Sequence, residues 1–211
     1  LAVLYFFCHK IPFGSVLAML GDAICHTSLT DWNNMYRDLM TRQMLEEPLM
    51  LGGPGKIVEI DESLFRGKRK YQRGRVPPNK PWIFGGIERE SNKLVLFEVQ
   101  SRSANELTKK IEQFILPNTT IYSDQWAAYG GLSEHPNQYV HETVNHSENF
   151  VNPHNGVHTQ TIEGFWGNAK DDIKSMHGVH PNMLPARLDE IVFRWNNKSQ
   201  DLFTVMLSLL K

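Results

Sequence analysis

At 211 residues the chain can form one sizeable hydrophobic core with a smaller appended unit, and its 41% hydrophobic and 21% charged residues are those of an ordinary globular protein. A formal net charge of -1 excludes nucleic-acid binding through overall charge, so a partner of that kind requires a local basic patch. The two cysteines, Cys8 and Cys25, make neither a disulfide framework nor a zinc-finger pattern, which points to a reducing compartment and structural thiols.

The apolar start, Leu1 to Phe7, is interrupted by His9, Lys10 and Pro12 and is far short of the ~20 apolar residues that span a bilayer. With no basic leader and no initiator methionine, it reads as the beginning of a fragment of a longer protein rather than a secretory signal. Residues 1–50 read as helical. Val16, Leu17, Leu20 and Ile24 recur at helical spacing, as do Trp32, Met35, Tyr36, Leu39 and Met40 after the polar break Cys25-His26-Thr27-Ser28. Ser28, three residues before Asp31, resembles a capping box. Two helices around a tight turn outline a helix-turn-helix, and equally a helical hairpin that only packs. Three glycines and a proline in 51–55 predict a linker over 51–56 and a second domain over 57–211.

That second domain opens with strand-like runs at 57–61, 82–88 and 93–100, followed by a helix over 104–115. Further strands are predicted at 119–123 and 139–144, a helix at 161–174, and more helical material over 184–211. This order predicts an α/β domain with a mixed sheet, preceded by a small helical region.

Three carboxylates carry the chemistry. Asp61 ends the first strand, Asp124 ends the strand Thr120-Ile121-Tyr122-Ser123, and Glu163 lies near the start of an amphipathic helix. Acids at two strand ends and on a helix can form an oxygen cage for paired divalent cations, the device that serves phosphoryl transfer on nucleic acid. Each acid also has a plainer reading. Glu59 shares a strand face with Asp61, so spacing does not choose between them, and Glu62 is adjacent. Asp124 suits a turn, and Glu163 suits the positive end of its helix. On that helix Ile162, Phe165, Ala169 and Ile173 form an apolar stripe, while Glu163, Trp166, Lys170 and Lys174 form the stripe beside it.

Between the first two acids, residues 66–80 contain seven basic residues and no acidic one. Arg66, Lys68, Arg69, Lys70, Arg73 and Arg75, with Gly and Tyr between them, make a candidate phosphate-binding loop; a solvated loop or a nuclear localisation signal are the other readings. His141 and His146 bracket a Glu as in a zinc protease, but they are five apart on a strand-like segment, and zinc needs them four apart on a helix. No Walker loop, dinucleotide fingerprint or nucleophile elbow is present, so nucleotide hydrolysis, redox and esterase chemistry find no support.

Several blocks together resemble the Merlin superfamily of cut-and-paste transposases and related bacterial insertion-sequence transposases. They are Val58-Glu59-Ile60-Asp61-Glu62-Ser63, the basic 66–75 loop, Trp82-Ile83-Phe84-Gly85-Gly86-Ile87-Glu88, and Ile121-Tyr122-Ser123-Asp124-Gln125-Trp126-Ala127-Ala128-Tyr129. Val144-Asn145-His146-Ser147 and His158-Thr159-Gln160-Thr161-Ile162-Glu163-Gly164-Phe165-Trp166 complete the series, in family order over about 57–175. The resemblance implies a ribonuclease-H-like core with a DDE triad of Asp61, Asp124 and Glu163. It implies two Mg²⁺ ions per site, with Mn²⁺ as a substitute, and cleavage at transposon ends followed by strand transfer into target DNA. The implied partners are double-stranded DNA, at terminal inverted repeats and target, and further copies of the chain assembled on it, with no membrane. A nuclear location follows from the Merlin-like wording, a bacterial cytoplasm from the insertion-sequence one. The 178–185 region and the C-terminal tail depart from the family. The competing expectations are a domesticated or decayed transposase that binds DNA without cutting it, and an unrelated nuclease on the same fold.

Overall fold

In chain order the helices of the computed structural model are α1 (Ala2–Cys8), α2 (Phe13–Leu20), α3 (His26–Glu46), α4 (Ala104–Phe114), α5 (Gln160–Ser175), α6 (Leu184–Asn196) and α7 (Leu202–Leu209). The strands are β1 (Leu51–Gly52), β2 (Ile57–Leu64), β3 (Trp82–Glu88), β4 (Leu94–Val99), β5 (Ile115–Leu116), β6 (Thr120–Asp124) and β7 (Val140–Val144). The structure describes residues 1–65, 81–145, 151, 156–176 and 179–210. They divide into a helical unit, Leu1–Pro48 with the segment from Ala186 onward, and a sheet unit, Leu49–Pro185. The C-terminal helices, expected within the catalytic domain, thus group with the N-terminal ones from Ala186 on.

The helical unit packs Leu4, Phe7, Cys8, Tyr36, Met40, Phe193 and Met206 into one apolar cluster. Burial of this kind stabilises by roughly 1.5–3 kcal/mol for each large side chain. It also pushes the Cys8 thiol up to about 11, keeping it a protonated, inert apolar group. In the same unit the buried Glu190 meets Arg37 at 2.8 Å, Arg194 at 2.9 Å and Arg187 at 3.1 Å. Arg194 also donates to the carbonyls of Phe7 and Cys8, closing the end of α1. The two helices of the helix-turn-helix outline are α2 and α3, joined through a 3-10 turn at Gly21–Ala23. The α3 cap is Cys25, not Ser28: Cys25 is extended and its Sγ accepts the Ser28 N–H, so Ser28 already lies inside the first turn.

In the sheet unit five strands lie in the order β4-β3-β2-β6-β7. β2, β3 and β4 form an antiparallel meander, and β6 and β7 run parallel to β2. This mixed sheet, with helices after its third and fifth strands, is the ribonuclease-H-like architecture that the sequence implied. Val58, Ile60, Phe84, Val95 and Ile121 pack with Leu107 and Ile111 of α4 in its core. α4 is fixed at its start by its N-cap: Ser103 Oγ accepts the Glu106 N–H, and the Glu106 carboxylate accepts the N–H groups of Gln100 and Ser101 just ahead of the helix. The 51–55 stretch, expected as a linker, belongs to this unit. Leu51 is fully buried, and β1 pairs in parallel with β5. Gly52 has φ of 81°, and a Cβ there would collide with the Thr119 side chain, so the glycine answers to close packing.

Candidate active site

β2 and β6 bring the first two acids to neighbouring positions. Their parallel pairing runs Ile57 to Thr120, Val58 to Ile121 and Glu59 to Tyr122. Two residues beyond the last of these pairs come Asp124, the final residue of β6, and Asp61, which lies within β2 and not, as expected, at its end, because pairing with β3 carries the strand on to Leu64. The third acid arrives on α5, whose buried stripe of Ile162, Phe165, Ala169 and Ile173 is the one the spacing predicted. One turn beyond Glu163, Trp166 donates its indole N–H to Asp61 Oδ2 at 3.0 Å. Burial, the charge of Asp124 and, to a smaller degree, that of Glu163 push the Asp61 carboxyl up to about 6. The three acids therefore share one electrostatic neighbourhood.

Glu59, the competitor on the same strand face, has a different employment. Its fully buried carboxylate accepts the N–H groups of Thr161 and Ile162 at 2.9 and 3.0 Å, the Thr161 hydroxyl at 2.8 Å, and Arg89 Nε at 2.7 Å. A β2 side chain thus caps the first turn of α5, where the positive end of the helix favours an anion. That bond holds Glu163, two residues on, at a fixed distance from the strand that carries Asp61. Glu62 engages different partners: Arg102 forks onto its Oε2 through Nε at 2.9 Å and Nη2 at 2.7 Å, and the Tyr129 hydroxyl donates to Oε1. Burial outweighs the guanidinium and pushes the Glu62 carboxyl up to about 7. Arg102 itself lies between the rings of Trp82 and Trp126, 4.5 and 4.2 Å from their centroids.

Each of the three acids is oriented by a local donor. Asp61 Oδ1 accepts the Glu62 N–H at 2.7 Å, Asp124 Oδ1 accepts the Trp126 N–H at 3.0 Å, and Glu163 Oε1 accepts the Thr159 hydroxyl at 2.7 Å. Carboxylate oxygen alone is the donor set of a hard divalent cation, and a cation is what would relieve the repulsion recorded at Asp61. Among the described residues, no three acidic, histidine or cysteine side chains are already drawn together as a metal cage. The donor chemistry fits a divalent ion, with the carboxylates held by protein donors in this structure.

Lys170 and Lys174 are exposed on α5, roughly 10 and 16 Å along its axis from Glu163. Arg66, Lys68, Arg69, Lys70, Arg73 and Arg75 lie outside the described residues. Of the His141/His146 pair, His146 lies outside the described residues and His141 bonds Ser123 Oγ at 2.8 Å; His135 bonds Glu112 at 2.8 Å, and His158 stands 3.8 Å from Glu59. Sequence reading passed over Arg102, since nothing in its surroundings signals a partner forty residues away. It also gave Trp166 no part, although the spacing from Glu163 did set the two on one stripe.

No helix among the described residues is long and apolar enough to cross a membrane. Solved structures similar to this chain include the catalytic core domain of BIV integrase, at 15% identity and a TM-score of 0.45, covering 68% of this chain and 84% of that one. The integrase core of HTLV-2 in complex with magnesium matches at 13% identity and a TM-score of 0.42, over 69% of this chain and 87% of that one. The simian T-cell lymphotropic virus intasome in complex with the PP2A regulatory subunit B56 gamma matches at 14% and 0.45, over 69% of this chain and 50% of that one. No curated protein matches the sequence. The ISXO2-like transposase domain matches residues 50–196, which takes in β2, β6, α5 and all three acids. The chain therefore belongs to the DDE transposases of the ISXO2-like domain family.

Proposed function

We propose that the chain is a DNA transposase of the Merlin-like kind, in which Asp61, Asp124 and Glu163 are the catalytic acids for cleavage at transposon ends and strand transfer into target DNA. The observation that carries this reading is the electrostatic coupling of Asp61 on β2 to Asp124 on the neighbouring strand β6 and to Glu163 on α5, in a transposase-family domain. Asp61, Asp124 and Glu163 would hold two Mg²⁺, or Mn²⁺, and that pair would activate the attacking water or 3′-hydroxyl and stabilise the leaving oxygen. The protein's own share is orientation: the N–H groups of Glu62, Trp126 and Trp166 and the Thr159 hydroxyl fix the acids before substrate arrives. Arg66, Lys68, Arg69, Lys70, Arg73, Arg75, Lys170 and Lys174 would grip the phosphate backbone, and α2–α3 would read the terminal repeat. Further copies would assemble on the DNA, in a nucleus for a Merlin-like element or in a bacterial cytoplasm for an insertion sequence.

The test is cleavage and joining of a labelled duplex that carries a candidate terminal repeat, in Mg²⁺ or Mn²⁺ with Ca²⁺ as control. Metal-dependent nicking followed by a joined product is expected, and Asp61→Ala, Asp124→Ala or Glu163→Ala reduces both steps to background. Binding without cleavage would assign the chain to the domesticated DNA-binding class, and nicking without joining to the nucleases.

A further inference from the structure

Trp166 lies in a slot that the sheet leaves for it. Asp61 on β2 is paired across the sheet with Gly85 on β3, and Gly85 has no side chain to occupy the space above the strand. A Cβ at that glycine would sit 2.7 Å from two carbons of the Trp166 ring. The indole fills this notch, almost wholly buried, with Phe65 edge-on at 5.6 Å between centroids. Its single N–H ends on Asp61 Oδ2 at 3.0 Å. Asp61 Oδ1 already accepts the Glu62 backbone N–H, so both carboxylate oxygens are pinned and the side chain has lost its rotational freedom. A carboxylate oxygen accepts about two hydrogen bonds or ligands, so each keeps an open lone pair on a fixed carboxylate plane.

We infer that Trp166 is a positioning residue: its indole N–H sets the Asp61 carboxylate in the orientation from which it binds the metal, and couples that orientation to Glu163. The coupling follows from the helix. Glu163 precedes Trp166 by one turn, and the Glu59 carboxylate fixes the first turn of α5 to β2. Any rotation of α5 that displaces Glu163 also withdraws the indole from Asp61. A buried tryptophan that needs some acceptor could use any carbonyl; this one bonds the Asp61 carboxylate.

The inference rests on Asp61 being a metal-binding acid, and its test separates the two. Mn²⁺ affinity of the metal-free chain is measured by calorimetry for the wild type, Asp61→Asn and Trp166→Phe, with melting temperatures alongside. The wild type is expected to bind, Asp61→Asn to lose binding, and Trp166→Phe to bind about 10–100-fold more weakly, the usual loss when a partner of a ligating carboxylate is removed. Should Trp166→Phe melt early yet bind Mn²⁺ with wild-type affinity, the positioning role is overturned and the metal reading stands. Absence of binding by the wild type overturns both. A second measurement does not depend on the variant folding: in wild-type protein with ¹⁵N-labelled indoles, Mg²⁺ should shift the one indole N–H resonance that Asp61→Asn also shifts. A resonance that responds to Asp61→Asn but not to Mg²⁺ overturns the inference.

Discussion

Glu190 and Asp61 are both carboxylates drawn out of bulk water, one in the helical unit and one in the sheet unit, and their surroundings are opposite. Glu190 is ringed by Arg37, Arg187 and Arg194. Burial alone would raise its carboxyl, but Arg194 and Arg37 outweigh burial and hold it below the ordinary range. Asp61 has two N–H donors and two like-charged neighbours, Asp124 and Glu163, and its carboxyl is raised. Among the described residues no lysine or arginine pairs with it. Glu59, two residues from Asp61 on the same strand, sharpens the contrast because it is paired with Arg89 and saturated by the N-terminus of α5. At Glu190 and Glu59 the chain supplies a cation of its own. At Asp61 it supplies two N–H donors and, among the described residues, no cation.

The largest effect expected from this difference is on the helical side. Glu190→Ala leaves three guanidinium groups around an empty position, and breaking a buried charge cluster in this way costs about 3–5 kcal/mol. Urea unfolding at neutral pH should show that loss, and a change under 1 kcal/mol would mean the arginines are satisfied by other groups. The same experiment on Asp61 should have the opposite sign. Its carboxyl rises from 3.8 to about 6, so the folded state holds its proton longer than the unfolded chain does. The stability it contributes is complete below pH 4 and is lost as pH climbs from about 4 to 6. Asp61→Asn loses one of the two N–H bonds at every pH, so the sign is read from the slope: relative to wild type, the metal-free variant should gain stability as pH climbs from about 4 to 7. Glu190 works in reverse, since a lowered carboxyl loses its contribution as pH falls through 4.5 and below. A pH series of urea midpoints for wild type, Asp61→Asn and Glu190→Gln measures both slopes, and parallel curves would erase the comparison.

The two acids were unequally visible in the sequence. Asp61, Asp124 and Glu163 came into view as candidates because strands and helix starts are written locally, in alternation and in helical spacing. The strands and helices of the sheet unit fell within a few residues of their predicted bounds for the same reason, with β3 found at 82–88 as expected. Spacing left Asp61 and Glu59 undecided and only the family resemblance chose Asp61; the employment of Glu59 was illegible, because only the arrival of α5 gives it a helix terminus. Glu190 has Arg187 and Arg194 at helical spacing, but its part in a buried cluster was invisible, because Arg37 lies 153 residues away and no local pattern marks that pair. The 51–55 glycines misled because composition reports where the chain can turn, whereas Leu51 and Gly52 turn in order to pack against β5 and Thr119. Cys25 capping α3 was missed since a thiol is a poor acceptor and rarely takes that place.

The smallest effect is the most specific, and it concerns how the sheet orients Asp61 without a cation. Gly85 faces Asp61 across β2 and β3 with a φ that any residue can adopt, so its lack of a side chain matters for space alone. An alanine there puts a methyl 2.7 Å from the Trp166 ring and 3.2 Å from Ile162 Cδ1. The isoleucine tip can give way, but the indole is a rigid ring enclosed by Phe65 and Phe165, so it must tilt as a body. Overpacking of this sort costs about 1–3 kcal/mol. The tilt also lengthens the bond from Nε1 to Asp61, and hydrogen bonds weaken steeply once distance and angle leave their usual range. Gly86, the next residue, is the built-in control: a Cβ there meets Leu51 and Val95 only at 3.4 Å, on the opposite face of the strand. Gly85→Ala should therefore lower both melting temperature and Mn²⁺ affinity, whereas Gly86→Ala should leave the affinity unchanged. Equal affinities in the two variants would show that the notch over Asp61 serves packing alone.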